Sequence, residues 1–200
     1  MKVLFIFLLF PTFLLAQHSE RKFHRVAVHY GTGNINNFLF NDTDYAYKVE
    51  FRKVQLYYRL KRKKLNLDLL FQPEWNTARH ELLNYWFVNT DAEREEFMQE
   101  KKIEEYILNL GVVISKEILP WLEVYALGSI GPGYFDTRTE RLAKGFAFSD
   151  NIALGINLGF MKNWSINIQP SFRHVSNANL KVPNGGYNSL NIEAGLANDF

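Results

Sequence analysis

His174 and Ser176, near the C-terminal end of the chain, are residues of the types that nucleophilic acyl chemistry requires. A serine hydroxyl becomes a nucleophile when a base within hydrogen-bond reach takes its proton and a third group orients that base. His174 and Ser176 are two positions apart, so on a β-strand their side chains share a face. Asn188 opens the next alternating segment and completes a candidate set of nucleophile (Ser176), base (His174) and orienting group (Asn188).

The connection between these residues, 177–186, is rich in Asn and Gly. Asn177, Asn179, Asn184 and free backbone N–H groups of this segment are candidate donors to an oxyanion. His-x-Ser is a weak motif, however. Taken alone, the spacing favours a histidine and a serine at a strand end that bond water and lipid headgroups.

The segments that would position this site alternate apolar and polar residues with a period of two. Successive strand residues point to opposite faces, so each such segment predicts a strand with one apolar side. The second segment changes parity around Lys53, which predicts a bulge there. Eight segments are predicted, near 23–31, 44–60, 64–76, 103–116, 121–133, 148–160, 164–174 and 187–200.

The connections between the segments alternate in length. Four are long, namely 32–43, 77–102, 134–147 and 175–186, and the three between them are short, namely 61–63, 117–120 and 161–163. Long loops at one rim and tight turns at the other are typical of an outer-membrane barrel. The predicted fold class is therefore all-β: an eight-stranded antiparallel outer-membrane β-barrel with long extracellular loops and short periplasmic turns.

The polar parity separates this barrel from a soluble lipocalin-like barrel, whose interior would be apolar. Charged residues in mid-strand are predicted to point into a packed lumen, and they are Lys48, Glu50, Arg52, Asp68, Glu74 and Glu193. His174, Ser176 and Asn188 have the opposite, lipid-facing parity and lie at the long-loop rim. Polar groups on a lipid-facing wall cost free energy and need a reason. Aromatic girdles are predicted from Trp75, Trp86, Trp121 and Trp164, and a terminal aromatic, Phe200, fits the same class.

Composition excludes several other classes. A formal net charge of +2 argues against nucleic acid as a partner, and the absence of Cys excludes thiol catalysis and Cys-based zinc sites. A mean hydropathy of −0.21 excludes a multi-span helical membrane protein. The mixed-charge residues 91–105 predict a solvated loop or short helix. The scattered histidines offer no metal-ligand set, so we expect neither a metal nor another cofactor.

The first sixteen residues predict a secretory signal peptide: a basic start, an apolar run and Ala16 as a small residue suited to cleavage. The domain organisation expected is then 1–16 signal peptide and 17–200 transmembrane barrel, exported to the bacterial outer membrane.

Two stretches of the second half carry a resemblance to a known family. Residues 174–188, His-Val-Ser-Asn-Ala-Asn-Leu-Lys-Val-Pro-Asn-Gly-Gly-Tyr-Asn, closely resemble the C-terminal motif of the lipid A 3-O-deacylase (PagL-type) family, and residues 148–155, Phe-Ser-Asp-Asn-Ile-Ala-Leu-Gly, resemble it too. The resemblance implies an eight-stranded outer-membrane barrel and a serine-hydrolase mechanism. It places the nucleophile on Ser176, the base on His174 and an oxyanion group on Asn184.

The chain departs from this family at Asn188, where the family has Glu. An amide can still hold a histidine tautomer but carries no charge to stabilise an imidazolium. The resemblance implies a carboxylic ester hydrolase that removes a 3-O acyl chain from lipid A of lipopolysaccharide in the outer leaflet. Two alternatives stay open: a non-catalytic adhesin or structural barrel, and a degenerate deacylase that binds lipid without cleaving it. A homodimer stays open as well.

Overall fold

The computed structural model describes residues 22–37 and 42–200. Eight antiparallel strands follow one another around a closed barrel, and each pairs with its neighbours in the sequence while the last pairs with the first. The strands are β1 (Phe23–Asn34), β2 (Tyr45–Arg62), β3 (Asn66–Leu82), β4 (Lys101–Leu119), β5 (Leu122–Phe135), β6 (Gly145–Met161), β7 (Trp164–Ser176) and β8 (Tyr187–Asp199). The signal peptide expected at 1–16 lies outside the described residues.

The barrel is polar inside and apolar outside. Asp68, Glu74 and Glu193 are buried in the lumen, as the alternation predicts. The lumenal charges are paired: Lys53 Nζ lies 3.0 Å from Glu193 Oε1 and 3.7 Å from Glu74 Oε1. Large apolar side chains instead cover the outer wall, where lipid replaces water as the neighbour. Within the part of the chain that the structure describes, no helix is long and apolar enough to cross a membrane.

Long and short connections alternate as predicted. The segments at one rim are residues 35–44, 83–100, 136–144 and 177–186, while the turns at the other rim span two or three residues. The second long loop contains the only helix within residues 22–37 and 42–200, α1 (Asp91–Phe97), so the prediction of a loop or short helix is confirmed for residues 91–100 and wrong for residues 101–105, which begin β4. Thr90 and Glu93 cap its N-terminus reciprocally, and these hydrogen bonds to Thr90 hold the pKa of Glu93 below its usual value.

Two predictions about the upper barrel, the end that carries the long loops, were wrong. No bulge occurs at Lys53, because the register of β2 with β1 and β3 continues through it and shifts against β3 only between Arg59 and Lys61. Lys48, Glu50 and Arg52 therefore point outward rather than into the lumen. The inward positions there are apolar instead and are held by Tyr45, Tyr47, Val49 and Phe51.

The physical reason is the length of the strands. A transmembrane strand needs about 9–11 residues, whereas β2 has 18, β3 has 17 and β4 has 19. Their upper ends rise beyond the hydrocarbon layer, where outward charges meet water and headgroups. The lumen at this level is closed by an apolar cluster that includes Phe51, Phe135 and Leu142. The same extension makes β3 and β4 longer than the predicted segments 64–76 and 103–116, and it shortens the loop predicted at 77–102.

Candidate active site

The structure brings His174, Ser176 and Asn188 together on the outer wall at the long-loop rim. Ser176 is the last residue of β7, and His174 lies directly opposite Asn188 across the β7–β8 pair. All three side chains point away from the lumen and are half-buried, while the residues between them, Val175 and Tyr187, are buried inside. The period of two in the sequence therefore places these groups on the face that we predicted.

One hydrogen bond fixes the tautomer of the neutral histidine ring. His174 Nδ1 lies 2.7 Å from Asn188 Oδ1. An amide oxygen only accepts, so Nδ1 carries the proton and donates it. In the neutral ring the other nitrogen, Nε2, then holds the lone pair that a general base needs. Among residues 22–37 and 42–200 the structure records no hydrogen bond from Ser176 Oγ to this ring, and such catalytic contacts often tighten only when substrate is bound.

The loop after Ser176 is held together by its asparagines. The Asn177 side-chain NH₂ donates to the carbonyl oxygens of Lys181 at 2.6 Å and Pro183 at 3.2 Å. The Asn177 backbone N–H donates to Asn184 Oδ1 at 2.6 Å, and Asn184 Nδ2 donates to Asn179 Oδ1 at 2.9 Å. Asn177 is thus occupied by the loop itself, whereas the Asn184 amide keeps a second N–H. The oxyanion role of all three residues stays a prediction.

Gly186 brings the end of this loop against the serine. Its backbone has φ +66°, and a Cβ built on it would lie 2.2 Å from the Val175 carbonyl oxygen and 3.5 Å from Ser176 Cβ. A side chain would clash with backbone, so glycine is required for this close approach. Gly186 therefore has a structural role beside Ser176.

A second loop at the same rim, residues 136–144, supports the first. Leu142 bridges to Asn184, and the Ala143 N–H donates to the Pro183 carbonyl at 3.0 Å. Arg141 Nε donates to the Gly186 carbonyl at 2.9 Å. The sequence analysis missed this contribution, because nothing in the local pattern of residues 134–147 indicates which distant loop they contact.

A buried ion pair anchors β7 from inside the barrel, directly behind the site. Arg173, which precedes His174, is 1% exposed and donates to Glu105 Oε2 at 2.6 Å, to Tyr47 Oη at 3.0 Å and to Ser149 Oγ at 3.0 Å. The network ties β7 to β2, β4 and β6 across the lumen. The alternation along β7 predicts that Arg173 faces the lumen, but it does not identify these partners.

An apolar furrow runs along the outer wall below the site. The furrow is open at Gly128, because this residue has no side chain and a Cβ built on it would have no atom within 4 Å. The furrow has a volume of about 430 Å³ and reaches Asp150 on β6, next to β7. Its apolar side chains are Leu110, Val112, Ile130, Ile152 and Phe172.

A lipid-facing wall that carries a histidine, a serine and an orienting amide at the outer rim defines the class: an eight-stranded outer-membrane barrel with an enzyme-like site on its outer surface. The model of one family, lipid A 3-O-deacylase (PagL), matches residues 52–197. The chain belongs to this family, and its place is the bacterial outer membrane.

Solved structures of other small barrels are similar in fold. The outer membrane enzyme PagL shares 14% identity over 86% of this chain and 97% of that chain, with a TM-score of 0.49. Neisserial surface protein A shares 12% over 88% and 97%, with a TM-score of 0.49. The attachment invasion locus protein Ail of Yersinia pestis shares 11% over 90% and 99%, with a TM-score of 0.42. No curated protein sequence matches this chain.

Proposed function

We propose that this protein is a lipid A 3-O-deacylase that acts as a serine esterase, with Ser176 as nucleophile, His174 as base and Asn188 as the orienting group. The observation that carries the proposal is the 2.7 Å contact between His174 Nδ1 and Asn188 Oδ1 on the outward face. It leaves Nε2 as the acceptor on the same face as Ser176, at the rim where the outer leaflet begins. Membership of the deacylase family supports the substrate class.

The reaction would proceed in two halves. His174 Nε2 takes the Ser176 hydroxyl proton while Oγ bonds the ester carbonyl carbon, whose oxygen becomes an oxyanion. The C–O bond to the sugar then breaks, and the imidazolium gives its proton to the leaving sugar oxygen. Water attacks the acyl-serine with His174 again as base, which releases the fatty acid and restores Ser176. Asn184 Nδ2 and backbone N–H groups of residues 177–186 would donate to the oxyanion.

The lipid-facing position suits an acyl substrate that never leaves the membrane. The ester of a lipid A acyl chain lies at the depth of the headgroups, and His174 and Ser176 end β7 at the rim. The furrow beside Gly128 and Ile152 would hold an acyl chain against the wall. No cofactor takes part in this scheme. Export through removal of residues 1–16 belongs to the same proposal, and assembly as a homodimer stays a prediction.

The test is mass spectrometry of lipid A from cells that express the wild type, Ser176→Ala or Ser165→Ala. Ser165 is a matched control because it lies on the same strand, buried in the lumen at the opposite end. We expect the wild type and Ser165→Ala to remove one acyl group and Ser176→Ala to remove none, with heat-modifiable gel mobility retained by all three. A barrel that binds lipid A without changing its mass, or one that still deacylates without Ser176, would overturn the proposal.

A further inference from the structure

The site has a neutral residue where a serine hydrolase commonly carries a negative charge. Asn188 orients His174, but its neutral amide offers only a dipole, and no negative charge, to the positive charge that the ring acquires when it takes the Ser176 proton. Glu193 on β8 does not supply the charge either, because it is buried in the lumen and bonds Lys53 and Ser171 there, and Asp199, the other acidic residue of β8, lies at the far end of the strand. The outer wall near His174 is therefore the place to look for a carboxylate.

Asp150 meets this description. It lies directly opposite His174 across the β6–β7 pair, so that His174 has Asp150 on one side and Asn188 on the other. Asp150 shares the outward face of its strand with Phe148 and Ile152. Directly opposed residues of antiparallel strands have Cβ atoms about 4.5–5.5 Å apart, which brings a carboxylate within close electrostatic range of the imidazole.

The carboxylate of Asp150 is not engaged by another side chain within the described residues. Its Oδ1 atom is shielded from solvent and has no hydrogen-bond partner in the described part of the chain, and the ion pairs found there do not include Asp150. Its opposite neighbour on β5 is Ile130, and Ile152 follows on its own strand. A carboxylate among apolar, lipid-facing side chains costs free energy, and carboxylates kept in such positions are commonly functional.

We propose that Asp150 is a positioning residue for the deacylation reaction: its carboxylate stabilises the His174 imidazolium from the β6 side, in place of the charge that Asn188 lacks. The inference rests on the proposed function. The two tasks of a triad acid are thereby divided, since Asn188 holds the tautomer from β8 and Asp150 supplies the negative charge. A unit charge about 5 Å away in surroundings of intermediate polarity accounts for about 100-fold in rate.

The test measures kcat and KM on lipid A in detergent–lipid micelles for Asp150→Asn, Asp150→Glu and the double variant Asp150→Asn/Asn188→Glu. We expect Asp150→Asn to lower kcat by about 100-fold with little change in KM, because only the transition state carries the imidazolium charge. Asp150→Glu should keep part of the activity. Adding Asn188→Glu to Asp150→Asn should restore at least about tenfold, since it supplies the charge from the other strand.

Controls separate this inference from the proposed function. Glu50→Gln removes another outward carboxylate, on β2 away from the site, and should leave kcat unchanged. Asp150→Ser is measured alongside, so that a folding defect of one variant does not decide the result. If the wild type deacylates, Ser176→Ala does not, and folded Asp150 variants match the wild type, then only the role of Asp150 is refuted. A loss in Asp150→Asn that Asn188→Glu fails to rescue would likewise indicate a merely structural role. An inactive wild type refutes both proposals.

Discussion

Replacing Asn188 with Ala should lower kcat about tenfold and leave KM nearly unchanged. The structure gives Asn188 one interaction with the site, the 2.7 Å bond from His174 Nδ1. A hydrogen bond between neutral groups contributes about 1 kcal/mol net, and one that involves a charged group about 1.5–3 kcal/mol. The bond therefore strengthens by roughly 1–1.5 kcal/mol when the ring becomes an imidazolium, which corresponds to about tenfold in rate.

The assay is release of fatty acid from lipid A by purified, refolded protein over a range of substrate concentrations. Asn198→Ala is the matched control, because Asn198 points outward on the same strand but lies at the periplasmic end, where its Nδ2 donates to the Asn163 carbonyl at 3.2 Å. Equal kcat values for Asn188→Ala and Asn198→Ala would refute the orienting role. A larger KM with unchanged kcat would mean that Asn188 binds substrate rather than orienting the base.

Two further predictions concern the wall around the site. Arg173→Met should destabilise the barrel by about 3–5 kcal/mol, because Glu105 stays buried and keeps only Tyr47 and Asn76 as partners. Urea unfolding in lipid vesicles measures this change in stability. An unchanged midpoint of unfolding would contradict the prediction. Gly128→Trp should fill the furrow and reduce deacylation of lipid A with long acyl chains more than deacylation of lipid A with short acyl chains. Mass spectrometry of a mixture of the two lipid A species measures both reductions. An equal reduction for both would show that the furrow does not hold the acyl chain that is removed.

The wall of the barrel could be predicted from the sequence because a strand has a strict period of two. Once Ile166 and Ile168 face lipid, His174 and Ser176 on the same strand must face lipid as well. The outward position of Asn188 follows from the antiparallel pairing of β7 with β8. The same rule gave the wrong face in upper β2. There the hydrophobic side switches from lipid to lumen above Lys53, and the change of parity that marks this switch in the sequence is the one from which a bulge was wrongly predicted.

The loops could not be predicted for a different reason. Arg141 and Leu142 contact residues 184–186, more than forty positions away, through a bridge, a hydrogen bond from the Arg141 side chain to the Gly186 carbonyl, and a backbone hydrogen bond that does not depend on residue type. Asp150 belongs to the stretch 148–155 that resembles the family, but its proposed role depends on the strand register that places it opposite His174. Parity assigns a residue to a face, whereas register assigns it a neighbour, and sequence alternation specifies only the first.

The alternation also explains how a polar site persists on a lipid-facing wall. Along the upper half of β7 the outward residues Phe172, His174 and Ser176 alternate with the inward residues Arg173 and Val175. Arg173 holds the strand from the lumen by a buried ion pair that involves none of the outward positions. Asn188 and Asp150 lie on the two flanking strands, and each is the residue directly opposite the histidine on its own side. A charge lost on one side can therefore be replaced from the other without any change in the lumen.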